Sequence, residues 1–492
     1  MRLLLLIGAT GCAQVFGIEN TTGKDADPAR VSVQMQKVQI GATVKTAPLD
    51  LSGQTATFLE EDGAGGYTRT PGDYQPVDTF SAAIPVGTPA VLFTLPDQPT
   101  PFPRLWEMPA RNRIGAFGVF EHDNPQEPSA ASALTVQMSL PSAFVSSERF
   151  RIEAIGAWTG HAFVTGTETA PPDVGYTSFT TTLQYSTFGK LTNMPVRRIT
   201  SDDVVVVERY VGTLLTAVYQ APAFDQTDGP TPDSINAMMS ALTPNLPFNA
   251  TIKGATLANR LTAVNPRGAT QAINWSIVAS PGYSIGSNAG VLLNAGGVAD
   301  LTMDTTIATM YSNPFDTLTW HPVVTMSAFQ NRTYMFMAMP LVLGAGMQTV
   351  AEPTSSSISF DMPAGLPITI SANQMPLTSD GMSIALDLTK AVEFTAQLDR
   401  PTNTFYGLTV VEVALNSMMT GIDRIVVVDA ITTGEAKFKL PPDLFKVDHY
   451  YYVTFRSSQG GYTNAATGDL QNFTLPYSNS AADSAVFKVI AP

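Results

Sequence analysis

The chain has 492 residues, with 27 Lys and Arg against 41 Asp and Glu, and its formal net charge is −14. Such a chain has too few cations to neutralise a run of phosphates, which excludes nucleic acid as a partner. Hydrophobic residues make up 44% of the chain and charged residues only 14%. This composition provides large apolar cores, which excludes a mainly disordered protein, and leaves little material for long charged surface helices.

The N-terminal segment is typical of an export signal. Arg2 is followed by the apolar run 3–7 and by the small residues that precede Cys12, which is the order of a charge, an apolar stretch and a cleavage site. We therefore expect residues 1–11 to be a signal peptide. No later segment reaches the roughly 18 consecutive apolar residues that a membrane-spanning helix requires, so we expect no later helix to cross a bilayer.

Cys12 is the only cysteine, which excludes a disulfide within one chain. Its position directly after Ala9-Thr10-Gly11 resembles the lipobox of bacterial lipoproteins, in which this thiol is diacylated and becomes the new N-terminus. The resemblance implies lipidation of Cys12 and stable membrane attachment through its acyl chains. Ala13 is similar to the residue found there in lipoproteins sent to the outer membrane. A buried structural cysteine and an ordinary cleaved signal are the alternatives.

The segment after the cysteine is polar and has no apolar periodicity. We predict that residues 12–30 form a flexible tether that separates the folded part from the membrane. Within it, residues 16–22, with the sequence FGIENTT, resemble the start of large envelope lipoproteins of Gram-negative bacteria.

From residue 31 onwards, apolar and polar residues alternate as in half-buried strands. Leu134, Val136, Met138 and Leu140 are the clearest example. The same pattern occurs at Val31-Val33-Met35, Ile358-Phe360-Met362, Ile368-Ile370 and Phe438-Leu440. Longer apolar runs predict strands that are covered on both faces, and they lie at 204–207, 334–339 and 425–428.

One short helix is predicted after residue 230. Thr231 can cap it and Pro232 fits its first turn. Its apolar positions, spaced i, i+3, i+4 and i+7 before Pro244, are Ile235, Met238, Met239 and Leu242.

Two segments resemble known sandwich modules. Residues 80–87, followed by the strand 91–93, resemble the closing strands of prealbumin-type modules. Residues 440–445, with the sequence LPPDLF, and the following tyrosines resemble the tyrosine corner of fibronectin type III-like domains, in which the Leu444 to Tyr450 spacing fits.

Many short strands and regular turn signals such as Asp62-Gly63 together predict an all-β fold of several β-sandwich modules with one short helix. Proline-rich and polar segments suggest the boundaries. We predict a module at 31–104, β-rich domains at 105–230 and 231–365, the latter with the helix at its N-terminal end, and a fibronectin III-like sandwich at 366–492.

Gly282-Tyr283-Ser284-Ile285-Gly286 matches the G-x-S-x-G nucleophile elbow, in which a strand leads through a sharp turn into a helix. Residues 273–278 could be that strand, but the glycine-rich residues 287–297 form a poor helix. On paper the triad partners of Ser284 are Asp300 or Asp304 and His321. A turn between two strands is the favoured interpretation of the motif, and a serine hydrolase is the alternative.

No metal or cofactor is predicted. His122, His161, His321 and His449 are too widely spaced for the close pairs typical of zinc sites. Glu60-Glu61-Asp62-Gly63 could offer oxygens to calcium, but it lacks the spaced ligand order of a calcium loop, so it is interpreted as a hairpin turn.

A further alternative is a glycan-binding face. Its stacking platform would use the four tryptophans, Trp106, Trp158, Trp275 and Trp320, and the tyrosines 450–452. Tryptophans in β-sandwiches more often fill cores.

The sequence thus predicts a non-enzymatic, lipid-anchored envelope protein of the bacterial outer membrane. Its β-sandwich modules would have a structural role or bind an envelope protein or a glycan.

Overall fold

The computed structural model describes most of the chain from Arg30 onwards. The described residues are 30–40, 43–75, 78–83, 90–94, 103–107, 112–120, 126–155, 159–163, 174–185, 189–190, 197–266, 268–270, 273–280, 291–298, 302–318, 320–353, 357–401, 404–462, 464, 469–470 and 473–492. Within them no helix is both long and apolar enough to cross a bilayer. The predicted signal peptide, Cys12 and the predicted tether up to residue 29 lie outside the described residues.

The strands before the helix are, in chain order, β1 (Arg30–Ile40), β2 (Val44–Pro48), β3 (Ala56–Glu61), β4 (Tyr67–Pro71), β5 (Asp73–Gln75), β6 (Thr79–Ala83), β7 (Ala90–Thr94), β8 (Pro103–Glu107), β9 (Asn112–Phe120), β10 (Ala133–Ser139), β11 (Glu148–Ile155), β12 (Thr159–Phe163), β13 (Ser178–Gln184), β14 (Gly189–Lys190), β15 (Val204–Val211), β16 (Leu214–Gln220), β17 (Asp233–Met238), β18 (Ser240–Ala241) and β19 (Leu246–Lys253).

Helix α1 (Gly254–Val264) is the α-helix of the described residues, and two 3-10 turns lie at Asp316–Leu318 and Pro442–Leu444. The remaining strands are β20 (Ala269–Thr270), β21 (Ile273–Ser280), β22 (Val291–Val298), β23 (Asp304–Tyr311), β24 (His321–Phe336), β25 (Met339–Ala351), β26 (Ile358–Phe360), β27 (Pro367–Ala372), β28 (Met375–Pro376), β29 (Met382–Ala385), β30 (Val392–Leu398), β31 (Phe405–Leu415), β32 (Ile422–Thr432), β33 (Lys437–Leu440), β34 (Tyr450–Tyr462), β35 (Asp469–Leu470), β36 (Phe473–Asp483) and β37 (Phe487–Ile490).

One large hydrogen-bonded sheet joins strands from both ends of the chain. Its middle runs from β32 through β31, β34 and β36 to β25. On one side β32 pairs in parallel with β8, and β8 leads through β7 to β3 and β4. On the other side β25 leads through β24 and β21 to β22. β8 spans the module boundary predicted at residue 104, and the division into modules stays a prediction.

Smaller sheets cover this large sheet and enclose apolar cores. In one core Phe394 of β30 and Phe438 of β33 pack in the same cluster as Leu408 of β31 and Val453 of β34. The same layering joins β1 and β6 to β3 and β7, β10 and β17 to β11 and β15, and β19 and α1 to β21 and β24. The predicted all-β fold of sandwich modules is therefore confirmed.

The predicted alternation is confirmed most clearly in β10. Leu134, Val136 and Met138 are buried, whereas Gln137 and Ser139 are exposed. The run 204–207 also behaves as predicted, because its alternate valines belong to two different cores on the two faces of β15. Strands that face one core bury every second side chain, as β10 does. Strands that lie between two cores bury every side chain, as β15 does at residues 204–207.

The helix predicted after residue 230 is wrong. This segment forms β17, which pairs in parallel with β10. Ile235, Ala237 and Met239 are buried, while Met238 is 74% exposed. Buried side chains therefore recur every two residues, as in a strand, and not every 3.6 residues, as in a helix. The Asp233 carboxylate accepts hydrogen bonds from the Tyr185 hydroxyl at 3.1 Å and from a backbone N–H, and these bonds stabilise an extended start.

The observed helix α1 begins directly after β19. Leu257 and Leu261, one turn apart, are buried against the central strands. Arg260 on the same helix donates from Nε to Asp399 at 2.5 Å and from Nη2 to the carbonyl of Ala364 at 2.7 Å. These contacts hold a helix whose N-cap, Lys253, makes no side-chain capping bond, which explains why the usual start signal is absent from the sequence.

Two apolar runs are not covered on both faces, contrary to the prediction. In the run 334–339, residues Met337 and Ala338 form the turn between β24 and β25 and have positive φ angles of 46° and 69°, while Met335 and Met337 are more than half exposed. In the run 425–428, Ile425 is 53% exposed. A run of apolar residues predicts a strand here but not its burial, because both runs lie at or near hairpin ends.

The C-terminal sandwich has a tyrosine corner, but its tyrosine is Tyr451 rather than Tyr450. The Tyr451 hydroxyl accepts a hydrogen bond from the backbone N–H of Lys446 at 3.0 Å. Its ring is fully buried against Phe445 and Phe487. The hydroxyl therefore fixes the loop before β34 to the core of this sandwich.

We predict that Tyr451→Phe lowers the free energy of unfolding by about 1 kcal/mol, because the ring stays packed while the hydrogen bond to Lys446 is lost. Urea unfolding followed by circular dichroism measures this change. Tyr450→Phe is the matched control, since it removes a hydroxyl from the adjacent residue of the same strand. Equal stabilities of Tyr451→Phe and the unmodified protein would contradict the assignment of the corner.

Candidate functional site

The elbow serine, Ser284, lies outside the described residues, as does its candidate partner Asp300. The motif lies between β21 and β22, which pair antiparallel, so the next described element is a strand and not the helix of a nucleophile elbow. Asp304 is engaged elsewhere, because its carboxylate lies 2.6 Å from the Lys253 ammonium. His321 pairs with Ser280 in the register of β21 and β24. This topology favours the turn interpretation of the motif.

The candidate metal ligands are also dispersed. Within the described parts of the chain, no group of three His, Cys, Asp or Glu side chains could hold a metal ion. His449 lies beside Glu412, with Nδ1 2.7 Å from Oε1, and His122 lies outside the described residues. The acidic turn at Asp62 joins β3 to β4, and Asp62 Oδ1 accepts the backbone N–H groups of Ala64 and Gly66 at 2.9 Å each. The hairpin interpretation of this turn is confirmed.

The described tryptophans do not form the stacking platform of the alternative glycan-binding face. Trp106, Trp275 and Trp320 are between 0 and 7% exposed, so their faces cannot stack on a sugar, and Trp158 lies outside the described residues. Tyr451 is fully buried as well. These rings fill cores, as aromatic residues of sandwiches generally do.

A cavity of about 400 Å³ lies on the large sheet where strands from both ends of the chain meet. It is lined from β8, β31, β32, β34, β35 and β36, and we call it the arginine cavity. Its polar lining residues are Arg104, Asp429, Arg456, Ser458, Tyr462, Tyr477, Asn479 and Ser480. Volumes of roughly 300 to 1,000 Å³ are typical of small-molecule sites.

The strand register places the cavity around Arg456. Ile431, Gly407, Arg456 and Ala481 are direct neighbours across β32, β31, β34 and β36. Gly407 has no side chain, and a Cβ there would lie 2.9 Å from Arg456 Nε. The missing side chain at Gly407 therefore leaves the place that the Arg456 guanidinium occupies, and Ala481 on the other side carries only a methyl group.

One carboxylate organises the charges of the cavity. The Asp429 side chain is 7% exposed and accepts hydrogen bonds from Arg104 Nη1 at 2.5 Å, from Thr409 Oγ1 at 2.8 Å and from Arg456 Nη2. Arg104 is 13% exposed, but Arg456 keeps 40% of its side chain accessible. Two guanidiniums thus donate to one carboxylate, and Arg456 is the more accessible of the two.

The remaining walls are aromatic and polar. The Tyr477 hydroxyl lies 3.2 Å from Ser458 Oγ, and Asn479 Nδ2 lies 3.5 Å from the same hydroxyl. Tyr462 packs edge-on against Phe405, with ring centroids 5.4 Å apart. Burial raises the pKa of Tyr462 to about 12, so this phenol stays neutral and adds no negative charge to the cavity at neutral pH.

Sequence reasoning missed these residues because the site is assembled over long distances. Arg104 and Asp429 are separated by 325 positions. The local signal is that Asp429 follows the apolar residues 425–428 within a strand. A charged residue in such a place indicates a buried charge with a partner, but it does not identify that partner.

A second cluster of charges is closed to ligands. Glu153 and Glu208 are fully buried between β11 and β15, and Arg151 contacts Glu153. Burial raises the pKa of both carboxyl groups, for Glu208 to about 7. The Tyr210 hydroxyl lies 2.8 Å from Glu208 Oε2 and from the carbonyl of Val291. A protonated Glu208 can donate to this hydroxyl while Tyr210 donates to the carbonyl, which gives the Tyr210 hydroxyl both a donor and an acceptor.

This cluster makes stability depend on pH. The folded-state pKa of Glu208 lies above its ordinary value of 4.5, so the folded protein holds a proton that the unfolded chain releases. The free energy of unfolding therefore falls as the pH rises from about 4.5 to 7, by about 3 kcal/mol for this group, and then levels off.

We predict that Glu208→Gln flattens this decrease, as measured by urea unfolding across that range. Glu435→Gln, at an exposed position, is the control, and an unchanged slope in Glu208→Gln would contradict the assignment.

Comparison with known proteins gives no family. No protein-family model matches the chain, and no curated protein matches it. Among solved structures the chain is similar to the crystal structure of a tetra-tandem repeat in the extending region of a large adhesion protein, with 10% identity over 92% of this chain and 100% of that chain and a TM-score of 0.11. A superposition this poor carries neither a fold nor a function over to the chain.

Proposed function

We propose that the protein is a non-enzymatic, lipid-anchored component of the bacterial outer membrane whose β-sandwich scaffold has a binding role. The observation that carries the binding role is the arginine cavity, where Arg456, with 40% of its side chain accessible, lies among several other polar groups on a rigid sheet. Polar groups that converge in a pre-formed cavity are the usual mark of a ligand site.

The scaffold supports this role by its rigidity. The lining strands β31, β32, β34 and β36 pair over most of their lengths, and their other face packs into the apolar cores. A site on strands is held more firmly than a site on loops. Another cavity, of about 290 Å³, lies beside α1. It is a weaker candidate because its Arg332 pairs with Asp380 and its Asp483 accepts the Gly344 N–H at 2.7 Å.

The proposed anchor rests on the N-terminal sequence. Cys12 follows an apolar segment and small residues, in the order of a lipobox. The first described strand begins at Arg30, and the tether proposed from the sequence comprises the residues between Cys12 and this strand. If fully extended, at about 3.5 Å per residue at most, such a tether would hold the modules several tens of ångströms from a membrane surface.

We predict that cells fed labelled palmitate yield a labelled protein that partitions into detergent, and that Cys12→Ser abolishes both properties. The reason is that a thiolate accepts the acyl-bearing group whereas a serine hydroxyl does not. Ala13→Ser keeps the thiol and is the matched control. If Cys12→Ser fractionates with membranes as the unmodified protein does, the anchor is wrong.

We also predict that a fluorophosphonate probe does not label the purified protein, because Ser284 lies in a connection between paired strands and its candidate partner Asp304 is bound to Lys253. Gel fluorescence after incubation with the probe measures this, with a known serine hydrolase as positive control. Labelling that Ser284→Ala removes would replace the proposed non-enzymatic role by a serine hydrolase.

A further inference from the structure

We propose that the arginine cavity binds a neutral aromatic ring that carries a hydroxyl group, with the ring stacked on the guanidinium of Arg456 and the hydroxyl donating to Asn479. This inference rests on the proposed binding role of the cavity, deepens it, and is independent of the lipid anchor. It assigns the ligand class from the orientation of one guanidinium, the apolar walls of the cavity and one acceptor that has no partner.

The guanidinium of Arg456 turns one of its faces towards Gly407. A Cβ at Gly407 would lie 2.9 Å from Nε, 3.1 Å from Nη2 and 3.2 Å from Cζ of Arg456. These three similar distances place the Cβ position on one side of the guanidinium plane. The group therefore covers Gly407 with one face, while Nη2 at its edge donates to Asp429.

The opposite face of this guanidinium is the surface that it offers to a ligand. Nε of Arg456 is buried and Nη2 is bound to Asp429, yet 40% of the side chain is accessible and the residue lines the cavity. Guanidinium faces stack on aromatic rings, whereas carboxylates and phosphates bind to the N–H edge. A planar aromatic ligand therefore uses the accessible face and leaves the contact with Asp429 intact.

The other walls of the cavity favour a flat apolar body. Three aromatic rings, Phe405, Tyr462 and Tyr477, line it together with Ile431 and Leu470. Tyr462 meets Phe405 and Tyr477 edge-on, with ring centroids 5.4 and 6.5 Å apart. Since aromatic rings favour such edge-on contacts, a further ring in the cavity can pack against these side chains in the same way.

Asn479 provides the polar contact for the ligand. Its Nδ2 lies 3.2 Å from Gln348 Oε1 and 3.5 Å from the Tyr477 hydroxyl. Within the described residues its Oδ1 accepts no hydrogen bond, and Asn479 lines the cavity. An acceptor in this state requires a donor on the ligand. A phenolic hydroxyl supplies that donor and stays uncharged at neutral pH.

The test is isothermal titration of the full chain with Cys12→Ser, in buffer without detergent because micelles would take up apolar ligands. The ligands are 2-naphthol, the saturated decahydro-2-naphthol, the ether 2-methoxynaphthalene and N-acetyl-L-tyrosinamide. We expect 2-naphthol to bind about tenfold more tightly than the saturated ring, because only an aromatic ring stacks on a guanidinium. We expect several-fold weaker binding of the ether, because it has no donor for Asn479.

The same titration identifies the source of the ring. Tighter binding of 2-naphthol than of N-acetyl-L-tyrosinamide identifies a free aromatic compound as the ligand. Tighter binding of N-acetyl-L-tyrosinamide identifies the tyrosine side chain of a peptide.

Two variants in the same background locate the ligand. Arg456→Lys keeps a cation near Asp429 but removes the planar group, so we expect it to fold and to bind 2-naphthol about tenfold more weakly. Ala481→Leu fills part of the cavity without changing a charge and is expected to weaken binding at least as much. Arg69→Lys makes the same exchange at an exposed arginine that pairs with Asp443 elsewhere. It is the matched control and should leave the affinity unchanged.

The outcomes separate the ligand class from the binding role. Equal binding of 2-naphthol and decahydro-2-naphthol, with both weakened by Ala481→Leu, would overturn the ligand class and keep the binding role of the cavity. No binding of any ring, or an unchanged affinity in Arg456→Lys, would overturn the inference altogether. If Arg456→Lys does not fold, as judged by circular dichroism, an unchanged affinity in Ala481→Leu has the same meaning. Palmitate labelling at Cys12 tests the anchor separately.

Discussion

The pairing of β8 with β32 depends on the ion cluster at Asp429. Arg104 stands directly opposite Asp429 in the parallel register, and Arg456 reaches the same carboxylate from β34. Asp429 is 5% exposed, and truncating one member of a buried charged pair typically costs about 3 to 5 kcal/mol. Because a slip of one residue would move Arg104 to the other face of the sheet, this cluster fixes how the N-terminal strands join the C-terminal sheet.

The same cluster that fixes the register also forms part of the wall of the candidate site. Arg104 and Arg456 both donate to the buried Asp429 carboxylate. The Arg456 guanidinium lies over Gly407, where a Cβ would be only 2.9 Å from Nε, and Ala481 flanks Arg456 on the other side. The register of these strands therefore decides which charged and polar groups line the cavity.

The sequence predicts the strands better than it predicts their partners. The period of two in β10 and the double-sided burial of 204–207 are local properties, and the structure confirms them. The segment after residue 230 fits both periods, since Ile235 and Met239 belong to the helical and to the extended pattern. The segment forms a strand because it pairs with β10. The sequence of the segment alone contains no signal for this long-range pairing.

Long-range placement also explains why the candidate site could not be read from the sequence. Motifs predict residues for chemistry without their spatial partners, and Asp304, for example, pairs with Lys253 instead. The tyrosine corner lies at the predicted loop, but the hydroxyl that reaches Lys446 belongs to the core-facing Tyr451 and not to Tyr450. Arg104, Asp429 and Arg456 come together only through the order of the strands in the large sheet.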